Sequence, residues 1–464
     1  MSIASELAEH VCATSYEALP AEAVHWAKIG LLDYVGVTLA GSLEQAPQLV
    51  ERSIAAASQP GPSLIFGRTQ RTIALNAALI NGTSSHVLDF DDCNNTFGGH
   101  PSVPILPALF ALGEELGASG RELIAAYVIG FEAETRIARG VHFHHYEKGW
   151  HPTATLGVFG AAAACCKLMR LDPQQTAYAL SISASFASGI KSNFGTMVKS
   201  LHVGHTTRNG LFAAQLAREG FDAGAQAFEH KQGFFNVFNG EGNYDAAKVL
   251  ESWGQPYDIV KPGIAIKQYP CCGSTHPALD AMLELVHKHQ LTPDNVARIE
   301  SFTHKRRLAH TNRPDPQSAL DAKFSVQYCL ARALMHGEIA MEQFDGDAYK
   351  DATVRSILPK VHSTTYTEAQ FPASNHFGAE VTVTTTGGQV YSAKVDQPHG
   401  RTSDNPLSAE MLKIKFENCA ARVLPAHSVA EVYRQIQDFE NLRNVCALTD
   451  TLADPQPQKK RAAG

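Results

Sequence analysis

The sequence lacks an excess of positive charge. It has 39 Lys and Arg against 46 Asp and Glu, a net charge of −7. Neither nucleic acid nor an acidic membrane surface is expected as a partner. It has no CxxC. Its nine cysteines are an odd number and include the adjacent pairs Cys165–Cys166 and Cys271–Cys272. That usage fits reduced thiols in a cytoplasm, not a disulfide framework, and no cysteine spacing matches an iron–sulfur cluster. There is no GxGxxG and no GxxxxGK[ST], which argues against a nucleotide enzyme. The N-terminal MSIASELAEHV carries Glu6 and Glu9 and lacks a basic start followed by an apolar run, so no secretory signal is expected. Two helix-length stretches lack charge, Gly149–Cys166 and Pro173–Ile190. Their Ser, Thr, Gln, His and Pro content points to buried helices rather than membrane spans.

What is present is a globular composition, with 44% apolar and 18% charged residues. At 464 residues the chain exceeds one typical core, so two domains are expected. Residues 1–265 read as helices. Pro20 fits the first helical position, and Val24, Ala27, Leu31, Val35 and Leu39 form one stripe that Gly41 ends. Ser119 with Glu122 is a capping-box pattern, and Asp172-Pro173 with Gln175 starts another helix. Many helical stretches are rich in Ala, Gly and Ser, which lets helices pack closely. Residues 266–404 change character. Val296–Thr303 alternates, and Ala379–Thr385, the Gly387-Gly388 turn and Gln389–Val395 read as a hairpin. Helices are expected at Pro277–His289 and Ser318–Met335, giving an α+β unit. Helices at Leu407–Ala421 and Ser428–Leu442, within about 405–450, are expected to return to the first domain. A disordered tail is expected over 452–464. The fold class is therefore mainly α: a large all-helical domain with a smaller α+β domain.

Four clusters carry polar chemistry. The first is His86-Val-Leu-Asp89-Phe-Asp91-Asp92, followed by Gly99-His100-Pro101-Ser102. The second is Tyr146-Glu-Lys-Gly-Trp150-His151-Pro152-Thr153. The third runs from Lys191 through Asn193, Thr196 and Lys199 to His202 and His205. The fourth is Lys267-Gln-Tyr269-Pro270-Cys271-Cys272-Gly273-Ser274-Thr275-His276-Pro277. Three aspartates so close repel one another without nearby cations or a metal. An aspartate-rich magnesium site would need a second acidic cluster on another helix, and none is evident; a solvated loop is the bland alternative. His100-Pro101, His151-Pro152 and His276-Pro277 each precede an expected helix, where free N–H groups favour anions. Each alone is more often just a helix start; three together suit a polyacid. Lys199 sits in the nearly apolar NFGTMVKSLHVG, where a buried lysine acts as a base or pairs with a carboxylate. No phosphate-cradling glycine loop stands beside it for pyridoxal phosphate.

The ordered motifs HVLDFDD…GHPS, GWHPTATLG, NFGTMVKSLHVGHTTRNG, KQYPCCGSTHPALDA and AKFSVQYCLARAL resemble the MmgE/PrpD family over nearly the whole chain. That resemblance implies a helical domain with an α+β lid, a homodimer, no metal or organic cofactor, and a small di- or tricarboxylate substrate. It places pocket positions on Asp89, His100, His151, Lys199, Lys267, Cys272 and Tyr328, with Tyr146, Asn193, Thr196 and His276 nearby in the motifs. The stretch NNTFGGHPSVP lacks the acidic and Asn contacts of the dehydratase branch, and Cys93 stands where decarboxylases often carry Thr. Epimerisation of an iminodisuccinate-type diacid is therefore expected first. A hydro-lyase acting on 2-methylcitrate or citrate comes next, and cis-aconitate decarboxylation third. All three build negative charge beside a carboxylate, which fixed donors and cations must meet. For epimerisation Lys199 is expected on one face and Tyr146 on the other, with His151 as substitute for either and Asp89 orienting a histidine or lysine. For dehydration His100 is the acid. A non-catalytic helical scaffold would show repeats or apolar grooves, and the sequence has no repeat.

Overall fold

Pro20 holds an extended backbone and the chain then runs as one helix over Ala21–Gly41. Pro20 is the N-cap, one residue ahead of the expected first helical position; its fixed φ suits either place. Both capping boxes form, Ser119 with Glu122 ahead of Gly120–Val141 and Asp172 with Gln175 ahead of Pro173–Phe186. The computed structural model describes residues 1–453. Its fold is mainly α, and it divides into two units. One is Met1–Ile266 together with the chain from Ser408 on; the other is Lys267–Leu407.

In the first unit small residues bring helix backbones together. A Cβ on Gly82, in the helix Ala74–His86, would lie 2.9 Å from Gly204 Cα in the helix Val198–Arg218. A Cβ on Gly130, in Gly120–Val141, would lie 2.7 Å from the Gly160 carbonyl oxygen in Gly157–Met169. No side chain larger than hydrogen fits at such crossings. The first of these crossings matters for chemistry, because its two helices carry His86 and Lys199. The chain from Pro152 to Met169 is, among the described residues, the one stretch long and apolar enough to cross a membrane, and 89% of it is buried inside the protein.

At the C-terminal end, the helices Ala409–Ala420 and Ala426–Gln437 and a short 3₁₀ turn at Phe439–Asn441 stand where two longer helices are expected. Leu452 ends a further helix, Cys446–Leu452, and is fully buried. The expected tail therefore does not begin at 452, and its part at 454–464 lies outside the described residues.

The second unit is built on a four-stranded sheet. Val296–Thr303 pairs antiparallel with Ala379–Thr385, which pairs antiparallel with Val390–Val395. On its other side Val296–Thr303 runs parallel to Val361–Thr365. That last strand is not legible in the sequence: its HSTT is mostly exposed at the sheet edge, so no apolar alternation marks it. The helices His276–His289 and Val326–His336 contribute Leu279, Met282 and Leu330 to one core with Ile299 and Val381 of the sheet. The helix expected over Ser318–Met335 is two helices. Ala319–Lys323 stops at Phe324, and Ser325 Oγ accepts from Tyr328 N to start the second.

Candidate functional site

The first cluster folds into a hub of imidazoles and carboxylates. His86 is the last residue of its helix, and three residues on Asp89 takes a left-handed backbone, φ 52°. Asp tolerates that conformation better than most residues, and it turns the DFDD segment back toward the helix end. Asp91 Oδ2 then lies 2.8 Å from His86 Nδ1 and 3.0 Å from His100 Nδ1. The other ring nitrogen of His100 is 3.7 Å from Asp89 Oδ1. Lys199 Nζ donates to that same Asp89 oxygen at 2.5 Å. His151, the N-cap of Pro152–Thr155, faces His86 at 5.6 Å between ring centroids, and its Nδ1 is 3.2 Å from His202 Nδ1. Cys93 Sγ lies 3.7 Å from His100 Nδ1. The backbone N–H of His100 donates to Thr153 Oγ1 at 3.0 Å, which ties the first motif to the second.

The charges in this hub are unequal by design of its surroundings. Burial works against a charge on His100, but the Asp91 carboxylate overrides it and carries the imidazole up to about 10. Burial wins at His86, which falls to about 4 although Asp91 opposes it. Burial alone would raise Asp91; His100 and then His86 reverse that and hold it well below the usual carboxylate range. His151 is pushed well below 6.5 by burial and by the neighbouring His86 and Lys199. The hub thus holds one imidazolium, His100, beside two neutral imidazoles, His86 and His151. With Nδ1–H of His86 given to Asp91, its Nε2 is an acceptor, buried and without a hydrogen-bond partner. His86, Asp89 and His100 each offer a donor atom within 4.8 Å of one another, the spacing of a metal site. Here the Lys199 ammonium already occupies the Asp89 carboxylate.

Behind the hub lies a second buried layer. Lys415, from the helix Ala409–Ala420, donates to the Phe90 carbonyl at 2.8 Å, pairs with Asp33 Oδ1 at 2.5 Å and covers the Phe90 ring at 4.0 Å. Asp92 accepts from the hydroxyl of Ser102, which also meets the Tyr127 hydroxyl. Burial first, and then Asp33, push Asp92 well above the usual range. This layer fixes Phe90 and Asp92 on either side of Asp91.

Asp89, His100, His151 and Lys199 therefore come together as the motifs imply. Asn193 and Thr196 do not join them through their own polar atoms. Thr196 Oγ1 donates to the Asn193 carbonyl at 2.8 Å and accepts from Val198 N at 3.2 Å, shaping the turn that starts the Lys199 helix. Tyr146 has the Lys191 ammonium 3.3 Å over its ring and stacks on Phe143. In the second unit Lys267 and Cys272 are nearly buried, at 7% and 8% exposure. His276 is buried; its Nε2 meets the Cys271 carbonyl at 3.3 Å and its ring packs on Tyr269. Tyr328 is fully buried, donating to the Gln343 carbonyl at 2.5 Å and accepting from Arg332 Nε at 2.9 Å. Both of these side chains are hydrogen-bonded within their own unit. His100-Pro101 stands ahead of a helix and His151 caps one that begins at Pro152, whereas His276-Pro277 forms the first two residues of its helix instead of preceding it. The motifs alone assign no role to His86, Asp91, His202 or Lys415. His86 and Asp91 stand in the quoted motif, and their pairing becomes visible only once Asp89 reverses the chain.

Residues 5–247 match the MmgE/PrpD N-terminal domain and residues 269–439 the MmgE/PrpD C-terminal domain. The human cis-aconitate decarboxylase is 29% identical over 94% of this chain and 94% of its own length. The mouse cis-aconitate decarboxylase is 28% identical over 92% and 88%. A cis-aconitate decarboxylase of Aspergillus terreus is 25% identical over 98% and 96%. With both domain types matched in order across most of its length, this chain belongs to the MmgE/PrpD family.

Proposed function

We propose that this chain transfers a proton at a carbon next to a carboxylate of a small di- or tricarboxylate. One observation carries the reading. His100 is held as an imidazolium on Asp91, beside a Lys199–Asp89 pair and the neutral imidazoles of His86 and His151. Fixed cations of this kind meet the charge that develops on a carbon acid and its carboxylate. Lys199 passes or takes the proton, and Asp89 holds it in place at 2.5 Å.

Two forms of that chemistry have support. Decarboxylation of a cis-aconitate-like tricarboxylate agrees with full-length relatives of that name. The bond to the departing carbon dioxide leaves its electron pair on carbon, and one acid then protonates it. Epimerisation of an iminodisuccinate-type diacid is favoured by Cys93, which stands beside His100 at a position where decarboxylases of the family often carry Thr. Dehydration of 2-methylcitrate or citrate shares the first proton removal. A homodimer, to be tested by light scattering, goes with the family reading.

Proton NMR in heavy water separates these forms. Chelator-treated enzyme is given cis-aconitate, 2-methylcitrate, citrate and the iminodisuccinate stereoisomers in turn. Solvent deuterium in a decarboxylated product is expected for the first form. Deuterium at the α-carbon with a drifting diastereomer ratio is expected for the second. New alkene signals from citrate or 2-methylcitrate would mean dehydration. No exchange and no product with any of them would refute the proposed substrate class.

A further inference from the structure

The helix Val198–Arg218 carries, about one turn beyond Lys199, a histidine that the proton chemistry above does not use. His202 Nδ1 lies 3.2 Å from His151 Nδ1, so one ring holds the shared hydrogen and the other accepts it. The surroundings fix this pair. The His151 backbone N–H donates to the Gly189 carbonyl at 3.0 Å. Gly189 has φ 119°, and a Cβ there would lie 3.0 Å from the Ala154 Cβ and 3.4 Å from His202 Nδ1, so a side chain at that position would press on the pair. The Phe194 ring packs edge-on against His151 at 4.8 Å between centroids.

The two rings differ in their access to water. His151 is 2% exposed and faces the buried His86. His202 is partly exposed, and its Nε2 has no hydrogen-bond partner among the described residues. Burial, then His205 and Lys199, lower His202, so it rests neutral and gives up an added proton readily. A neutral imidazole takes a proton at one nitrogen and releases one from the other, and the pair thus joins the buried side of the site to its surface. We propose that His202 is the port through which solvent supplies a proton to the hub while substrate occupies it. His202 acts through His151 and is not itself a catalytic residue. The inference rests on the proton-transfer reading above and adds a route to it. Water or a buffer acid gives a proton to His202 Nε2. The Nδ1 hydrogen of His202 passes to His151 Nδ1, and His151 releases its Nε2 hydrogen to the hub. Both rings end neutral with their tautomers exchanged. Once product has left, the same hops run backwards restore them, with water in the hub supplying the proton.

The test is kcat of the full-length protein in dilute buffer, with whichever of cis-aconitate, 2-methylcitrate, citrate and the iminodisuccinate stereoisomers wild type converts. His202→Ala is expected to lower kcat roughly 10²-fold, the lower end of what a positioned proton carrier supplies, with KM little changed. Added imidazole should restore the rate saturably in this variant and leave wild type unaffected. His202→Gln, which can keep a hydrogen bond to His151 but cannot relay, should stay slow until imidazole is added. A folded variant with wild-type kcat in dilute buffer overturns the port, and so does a slow one that imidazole does not rescue, since a merely structural histidine would behave that way. A measurement on wild type guards against variants that fail to fold. With ¹⁵N-labelled histidine, one Nδ1 of the pair must resonate as N–H and the other as a bare acceptor; two protonated or two bare Nδ1 atoms overturn the relay. A wild type that converts none of the acids overturns the proton-transfer reading, and the port with it, whereas loss of the port alone leaves that reading standing.

Discussion

Replacing Asp91 by Asn keeps the shape of the side chain and removes the charge that two imidazoles share. Asp91 Oδ2 lies 2.8 Å from His86 Nδ1 and 3.0 Å from His100 Nδ1. The rise of His100 from 6.5 to about 10 is worth about 5 kcal/mol. In the variant, burial is left without its main opponent, and His100 should lose its proton below pH 6.5. At pH 8 no more than about 3% of the enzyme would then carry the imidazolium, so turnover should fall at least 30-fold or so. The sign of the stability effect follows from the same shift. A pKa raised on folding stabilises in full below the unfolded value near 6.5, and that gain fades as pH rises through about 10. The stability gap between wild type and Asp91→Asn should therefore narrow across that window. The assays are the pH profile of kcat/KM, the His100 Cε1–H resonance followed by NMR, and urea denaturation at several pH values. If both proteins keep the same alkaline limb and His100 titrates at the same pH in each, the account of the hub is wrong.

Lys199→Ala should lower turnover by about 10²- to 10⁴-fold while the circular dichroism spectrum stays unchanged; a folded variant with near-normal turnover would remove Lys199 from the mechanism. Lys415→Met leaves Asp33 buried without its cation and should cost about 3–5 kcal/mol in urea denaturation; adding Asp33→Asn should recover part of that loss. Gly204→Ala places a methyl group against the Leu79 carbonyl and Thr83 Oγ1 and should cost about 1–3 kcal/mol. Because Lys199 lies on the displaced helix, its turnover should fall more than its stability alone accounts for, as read from kcat measured well below the melting temperature.

Local signals were legible where one residue's chemistry decides the outcome. Ser119, Asp172 and the strand Val296–Thr303 behave as their spacing predicts. The MmgE/PrpD motifs also bring Asp89, His100, His151 and Lys199 to one place. What the sequence withheld depends on distant partners. Asp91 looks like one more acid in DFDD, and only the return of His100 makes it the shared acceptor. Tyr328 carries a motif position yet turns inward, because Arg332 one helical turn on and the Gln343 carbonyl satisfy its hydroxyl. Lys415 reads as an ordinary helix lysine, since Asp33 and Phe90 lie more than 300 residues earlier.

That last separation has a consequence for synthesis. The Phe90 carbonyl waits 325 residues for the ammonium that holds it, roughly 15 to 65 s at ordinary translation speeds. Throughout that interval the nascent chain carries the DFDD loop without its anchor, and Asp33 has no cation beside it. The first unit is closed by a helix that leaves the ribosome long after the loop it anchors. Ribosome-bound chains halted before Ser408 should therefore be cut by protease around Phe90, and chains released after Ala420 should resist.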